Sequence, residues 1–225
     1  MNKKFVFMLV ALLSTPLLYF AANYGIEKNN NSNAVKKNTA LSASAEIFEN
    51  IAESARVMKP KEFYEAMSRH EGNKAGIRSL LSSAQISEID EITALIGTAW
   101  TDGEKLQVAL GAIEAYRFLE TAMKRGPSDL PLNVSMLDYS GFKLTILSSA
   151  KNTDWSSIES TIDDANQWWQ TLSPQIKDRD LRQAMDRTML AFQQASRSRD
   201  KAMLVYAAEM DLILVDALEK SFLVH

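Results

Sequence analysis

The chain has 225 residues, 46% of them hydrophobic and 24% charged, with a formal net charge of −3 and no cysteine. The lack of cysteine excludes disulfides, thiol catalysis, haem attachment through Cys and Cys-based zinc sites. With only 8 Gly and 5 Pro in the whole chain, turn formers are too scarce for a sheet protein of this size, and the composition points to helix.

Residues 1–24, MNKKFVFMLVALLSTPLLYFAANY, open with Lys3 and Lys4 and continue as an uncharged run from Phe5 to Ala22, interrupted only by Ser14, Thr15 and Pro16. A spanning helix needs about 17–25 apolar residues, whereas a secretory leader has a shorter apolar core and a small-x-small cleavage site. Near Ala21-Ala22 the position that should be small is Phe20, and the clean match, Ala43-Ser44-Ala45, lies far downstream. The pattern favours an uncleaved signal-anchor, with a cleaved leader and a secreted product as the alternative. Lys3 and Lys4 then stay cytoplasmic and the body faces outward. An exported chain without cysteine fits the bacterial periplasm, reached here through an inner-membrane anchor at residues 5–22. Residues 25–43 are rich in Asn, Ser and Lys and read as a flexible linker, because such a segment buries too little apolar surface to offset its ordering entropy. Residues 44–225 are then one helical domain. Lys3, Lys4, Lys28, Lys36 and Lys37 against Glu27 make residues 1–40 +4, so the remainder carries −7. An acidic body argues against nucleic acid, whose phosphates require clustered Lys and Arg.

Ile47, Phe48, Ile51, Ala55 and Met58 recur at helical spacing, and Pro60 ends or kinks that helix. Phe63, Tyr64 and Met67 suggest a short helix stopped by a turn at Glu71-Gly72-Asn73, with further short pieces at 75–83 and 86–98, the latter capped by Ser87. Longer helices follow at 102–124, 133–151, 154–172, 178–196 and 200–222. Asn133 and Thr153-Asp154 serve as caps, and Ser173-Pro174 is a favoured start. About five long helices on short links predict an all-α antiparallel bundle with shorter N-terminal helices. Trp155, Ile158, Ile162, Ala165, Trp169 and Leu172 form one buried stripe. Leu181, Ala184, Met185, Thr188, Phe192 and Ala195 form another. The helix at 133–151 is apolar on two sides, so it is central or faces a partner. Its Gly141 permits close approach of a neighbour.

Asp211 is the residue that breaks the pattern. It lies within the apolar stripe Leu204, Ala207, Ala208, Leu214, Val215, Leu218 and Phe222, where an unpaired carboxylate is costly. It should therefore have a partner or a raised pKa. A buried pairing is the plain interpretation, and a ligand contact is the functional one. Glu120, Asp138 and Arg117 stand on other helices where they can meet it, giving a candidate ligand-binding set of Asp211, Glu120, Asp138 and Arg117. A di-metal bundle site also needs Glu-x-x-His motifs, and the chain has only His70, near the expected turn, and His225. Met185 and Met189 read as core filler, and the Trp168-Trp169 pair as packing. There is no G-x-S-x-G and no phosphate loop. No catalytic residue, cofactor or metal is expected. The resulting expectation is a non-enzymatic, membrane-tethered interaction or scaffold protein of the envelope, whose partner is another envelope protein or a second copy. The alternative is a periplasmic bundle that binds a small molecule or metal through carboxylates around Asp211.

Overall fold

The computed structural model of the protein describes residues 32–223. The expected signal-anchor at 5–22 and the first part of the expected linker lie outside the described residues. The chain divides into two units, residues 1–36 and 37–225, and the helical body belongs to the second. Among the described residues there is no strand, and no helix is long and apolar enough to cross a membrane.

Eight α-helices succeed one another: α1 Ser32–Ser54, α2 Pro60–Arg78, α3 Ser83–Thr101, α4 Lys105–Ala122, α5 Leu132–Ser149, α6 Trp155–Leu172, α7 Arg179–Ser198 and α8 Lys201–Leu223. The all-helical class is as the sequence predicts, but the N-terminal helices are not shorter: α1, α2 and α3 have 23, 19 and 19 residues, against 18 for each of α4, α5 and α6. Nor does the linker extend to residue 43. Leu41 is 1% exposed, so the Asn-rich segment gives way to a packed helix before the first large apolar run.

The expected turn at 71–73 is also absent, and α2 runs through Gly72 to Arg78. Its Gly76 lies against α1, where an added Cβ would come within 2.7 Å of the Ala40 Cβ. The glycine is a contact surface and not a stop. Pro60 opens α2 at the first position, where its missing N–H costs nothing. The cap of α3 is Ser82, not Ser87, in a reciprocal box with Gln85. Asp154 caps α6 through the Ser157 N–H at 3.1 Å, as expected. Pro131, not Asn133, precedes α5. Ser173–Gln175 forms a single 3₁₀ turn, after which Asp178 caps α7. The α7–α8 break is made by Arg199, which adopts a left-handed conformation at φ 51°.

Two apolar cores share one wall. The first draws on α1 to α4 and includes Phe48, Ile51, Phe63, Ile96, Ile113 and Leu119. The second draws on α5 to α8 and includes Leu137, Leu144, Ile158, Trp169, Phe192 and Leu204. Helix α5 serves both, sending Tyr139 and Ile146 to the first and Val134, Leu137, Leu144 and Leu147 to the second. Its two apolar sides are thus covered from within, because α4, α6 and α8 all pack on it. Helices α5, α6, α7 and α8 close into a ring, each touching the next and α8 returning to α5. Burial of each such Leu, Ile or Phe contributes about 1.5–3 kcal/mol before conformational entropy is counted.

Candidate functional site

The α5–α8 contact is where the polar exception sits. Asp211, on α8, is 0% exposed, and neither of its carboxyl oxygens has a hydrogen-bond partner. Its Oδ2 is 2.9 Å from where a Cβ on Gly141 would stand, with Leu212 Cδ2 at 2.8 Å. Glycine at 141 therefore lets α8 lay Asp211 against the backbone of α5. Burial pushes the Asp211 carboxyl well above the ordinary carboxylate range, which favours its protonated form. Protonation removes the cost of a buried charge but still leaves an O–H and a C=O without partners.

One turn before Gly141, Asp138 occupies the same face of α5. The Tyr116 hydroxyl of α4, itself 5% exposed, donates to Asp138 Oδ2 at 3.1 Å. Asp138 is only partly buried. Its carboxyl is nonetheless raised well above the usual range, by burial first, then by the negative charges of Glu49 and Glu219, with a smaller contribution from Asp211. Tyr116 opposes that rise by donating its hydrogen bond. Glu49, on α1, is pushed up to about 8 by burial and by Glu219, Glu120, Glu53 and Glu46. Glu219, two turns beyond Asp211 on α8, is pushed up to about 7 by burial, Asp216 and Glu120, while Lys220 opposes the rise. Glu120, on α4, is held by Arg125, whose guanidinium reaches both its carboxylate and its backbone carbonyl. Four helices therefore bring five acids and one tyrosine into a single electrostatic neighbourhood, in which Arg125 is the only cation in an ion pair among the described residues.

Three of the four expected site residues, Asp211, Asp138 and Glu120, belong to this neighbourhood. Arg117 does not. It pairs with Glu114 at 2.8 Å, and Glu114 also accepts from Lys143 at 2.8 Å and from the Tyr139 hydroxyl at 2.6 Å. That network is satisfied. Burial would raise the Glu114 carboxyl, but the bonds from Lys143, Tyr139 and Arg117 hold it below its ordinary value. The sequence pattern does not single out Glu49, Glu219, Tyr116 or Arg125. Glu219 is visible there in principle, since it stands eight residues after Asp211 and so on the same side of the helix. Glu49 is hidden because α1 reads as a short piece after a linker.

Among the described residues, no group of three or more His, Asp or Glu is placed to hold a metal ion. His70 lies elsewhere, buried in the middle of α2 and not at a turn. Its Nδ1 is 3.2 Å from Ser44 Oγ, its Nε2 has no partner, and its ring meets Phe48 edge-on at 4.7 Å. Burial, with a smaller contribution from Lys74, lowers its pKa to about 4, so the ring is neutral. Met185 and Met189 are core residues, as expected. Trp169 is buried and donates to Asp186 at 2.7 Å, while Trp168 is partly buried against both cores.

No family model, no curated protein and no solved structure matches this chain.

Proposed function

We propose that the protein is a non-enzymatic binding module of the bacterial envelope, anchored through residues 5–22, and that its carboxylate cluster takes up an ammonium-bearing ligand. The observation that carries this is Asp211: a fully buried acid without a hydrogen bond, whose charge bears on the partly buried Asp138. Such a group costs about 1–3 kcal/mol, and an apolar residue would serve the core better. A feature that weakens the fold is the kind of feature that function retains. Envelope placement rests on the Lys3-Lys4 start and the uncharged run behind it.

An ammonium suits the acids better than a bare cation does. Calcium requires six to eight oxygens at about 2.3–2.6 Å and magnesium an octahedron at about 2.1 Å, a convergence these side chains lack. An ammonium requires only acceptors for its three N–H donors at ordinary hydrogen-bond distance. Binding would ionise Asp138 and its neighbours and release protons. Interaction with another envelope protein through the two-sided α5 loses its motivation, since both sides are covered.

The test is thermal unfolding of the full chain in detergent micelles, titrated with spermidine, putrescine, Mg²⁺ and Ca²⁺. A saturable rise in Tm with a polyamine, abolished in Asp138→Asn, supports the proposal. A rise with a metal alone replaces the ligand class, and no saturable rise with any of the four overturns the proposal.

A further inference from the structure

At the opposite end of the helices from the α4–α5 link, the chain builds a hollow of the other sign. It has a volume of about 240 Å³ and is lined by Arg56, Lys105, Leu106, Ser149, Ala150 and Lys151. Three of those six residues are cations, although residues 41–225 together carry −7. None of the three is in an ion pair among the described residues. They come from three separate places: the segment after α1, the first residue of α4 and the segment after α5.

Like charges gathered in one place repel one another, and two further features bear on this hollow. Lys105 has its ammonium 3.0 Å from the centroid of the Trp100 ring, and that ring is stacked on Phe63 at 4.0 Å with an angle of 2° between planes. A cation over an indole face is restrained electrostatically, but its hydrogen-bond donors remain unused. The second feature concerns α5, whose C-terminal carbonyls would oppose an anion. Lys201 donates to the Ala150 carbonyl at 2.8 Å and offsets that field. Helix α4 meanwhile presents its positive end through Lys105 and Leu106, and Glu104 makes no side-chain cap there.

We propose that this hollow is a binding site for a small phosphate-type oxyanion, held by Arg56 and Lys151 at its edges and by the restrained Lys105 in its wall. Arg56 supplies a planar fork for two oxygens, while the lysines act as point charges. The volume admits one or two phosphoryl groups. The site is independent of the carboxylate cluster and stands whether or not that cluster binds a ligand.

The full chain in neutral detergent micelles is titrated calorimetrically with inorganic phosphate and pyrophosphate, at low and at raised NaCl. Expected is saturable binding, tighter for pyrophosphate, that weakens with salt and falls at least about tenfold, or 1.4 kcal/mol, in the Arg56→Ala/Lys151→Ala variant. A Lys61→Ala variant, altered at an exposed lysine that does not line the hollow, retains wild-type affinity. Lys105→Met tests the wall and must weaken binding while the Tm stays within a few degrees. Absence of saturable binding overturns the proposal, as does wild-type affinity in the double variant. Retention by vesicles containing phosphatidylglycerol without binding of either free anion also overturns it, since the surface would then be reading lipid headgroups.

Discussion

Replacing Asp211 by alanine should make the protein more stable, which is the reverse of the usual outcome for a core truncation. Neither carboxyl oxygen has a partner, so the change removes a desolvation cost of about 1–3 kcal/mol. Alanine also gains about 0.5 kcal/mol over aspartate inside a helix. Against this stands the space left by one carboxyl group. At roughly 24 cal/mol per Å³, a cavity of about 30 Å³ costs roughly 0.7 kcal/mol. The balance is a gain of about 1–3 kcal/mol, or a rise in Tm of about 3–9 °C at this chain length. The gain must also depend on pH. The folded-state pKa of Asp211 is raised, so the native state binds the extra proton and loses stability as pH rises above the unfolded value near 4. The benefit of removing it is therefore smaller at pH 3 than at pH 8. Urea unfolding at both pH values, with circular dichroism as the signal, measures this through the midpoint at constant slope. A loss of about 1 kcal/mol or more at pH 8 would contradict this account, because Asp211 would then hold a bond worth more than its burial costs.

Four further outcomes rest on particular contacts. Glu49 and Glu219 are raised to about 8 and about 7, so stability declines as pH climbs from about 4.5 through those values; Glu49→Gln should flatten that decline and add about 1–2 kcal/mol at pH 9, after discounting for solvent reaching the partly buried acid. His70 is lowered to about 4, so its contribution is intact above the unfolded value near 6.5 and is lost as pH falls towards 4; His70→Leu should be about 2–3 kcal/mol less sensitive to that acidification in thermal melts. Gly141→Ala puts a methyl within 2.9 Å of Asp211 and 2.8 Å of Leu212, so it should cost about 1–2 kcal/mol net of its helix propensity, and less when combined with Asp211→Ala in a double-mutant cycle. Arg199→Gly relieves a left-handed arginine at a helix end and should gain about 0.5–1 kcal/mol, measured as a shift in urea midpoint.

What can be read in the sequence divides according to how local its cause is. The long C-terminal helices are legible because their stripes repeat at a helical period and their breaks carry caps such as Asp154, where side chain and backbone lie three residues apart. The N-terminal helices are obscured because Gly72 and Gly76 resemble a stop. Gly76 instead lies against Ala40 of another helix, a contact without any signature nearby in sequence. The same division runs through the site. Asp211 stands out because its own helix surrounds it with apolar positions, so one period suffices to find it. Arg117 is misplaced by the pattern because its partner, Glu114, is one turn away on its own helix and satisfies it locally. Glu49 is invisible because its shift comes from burial and from the charges of Glu219 and Glu120, which lie far from it in sequence. A cluster in which Glu49 and Asp138 are raised by burial and then by acids on other helices cannot be written into any one helix's pattern. It exists only once α5, apolar on two sides, has drawn α4 and α8 around itself and Gly141 has let α8 approach closely. The residues that pack that central helix therefore set the spacing of the carboxylates, and with it how strongly they hold their protons.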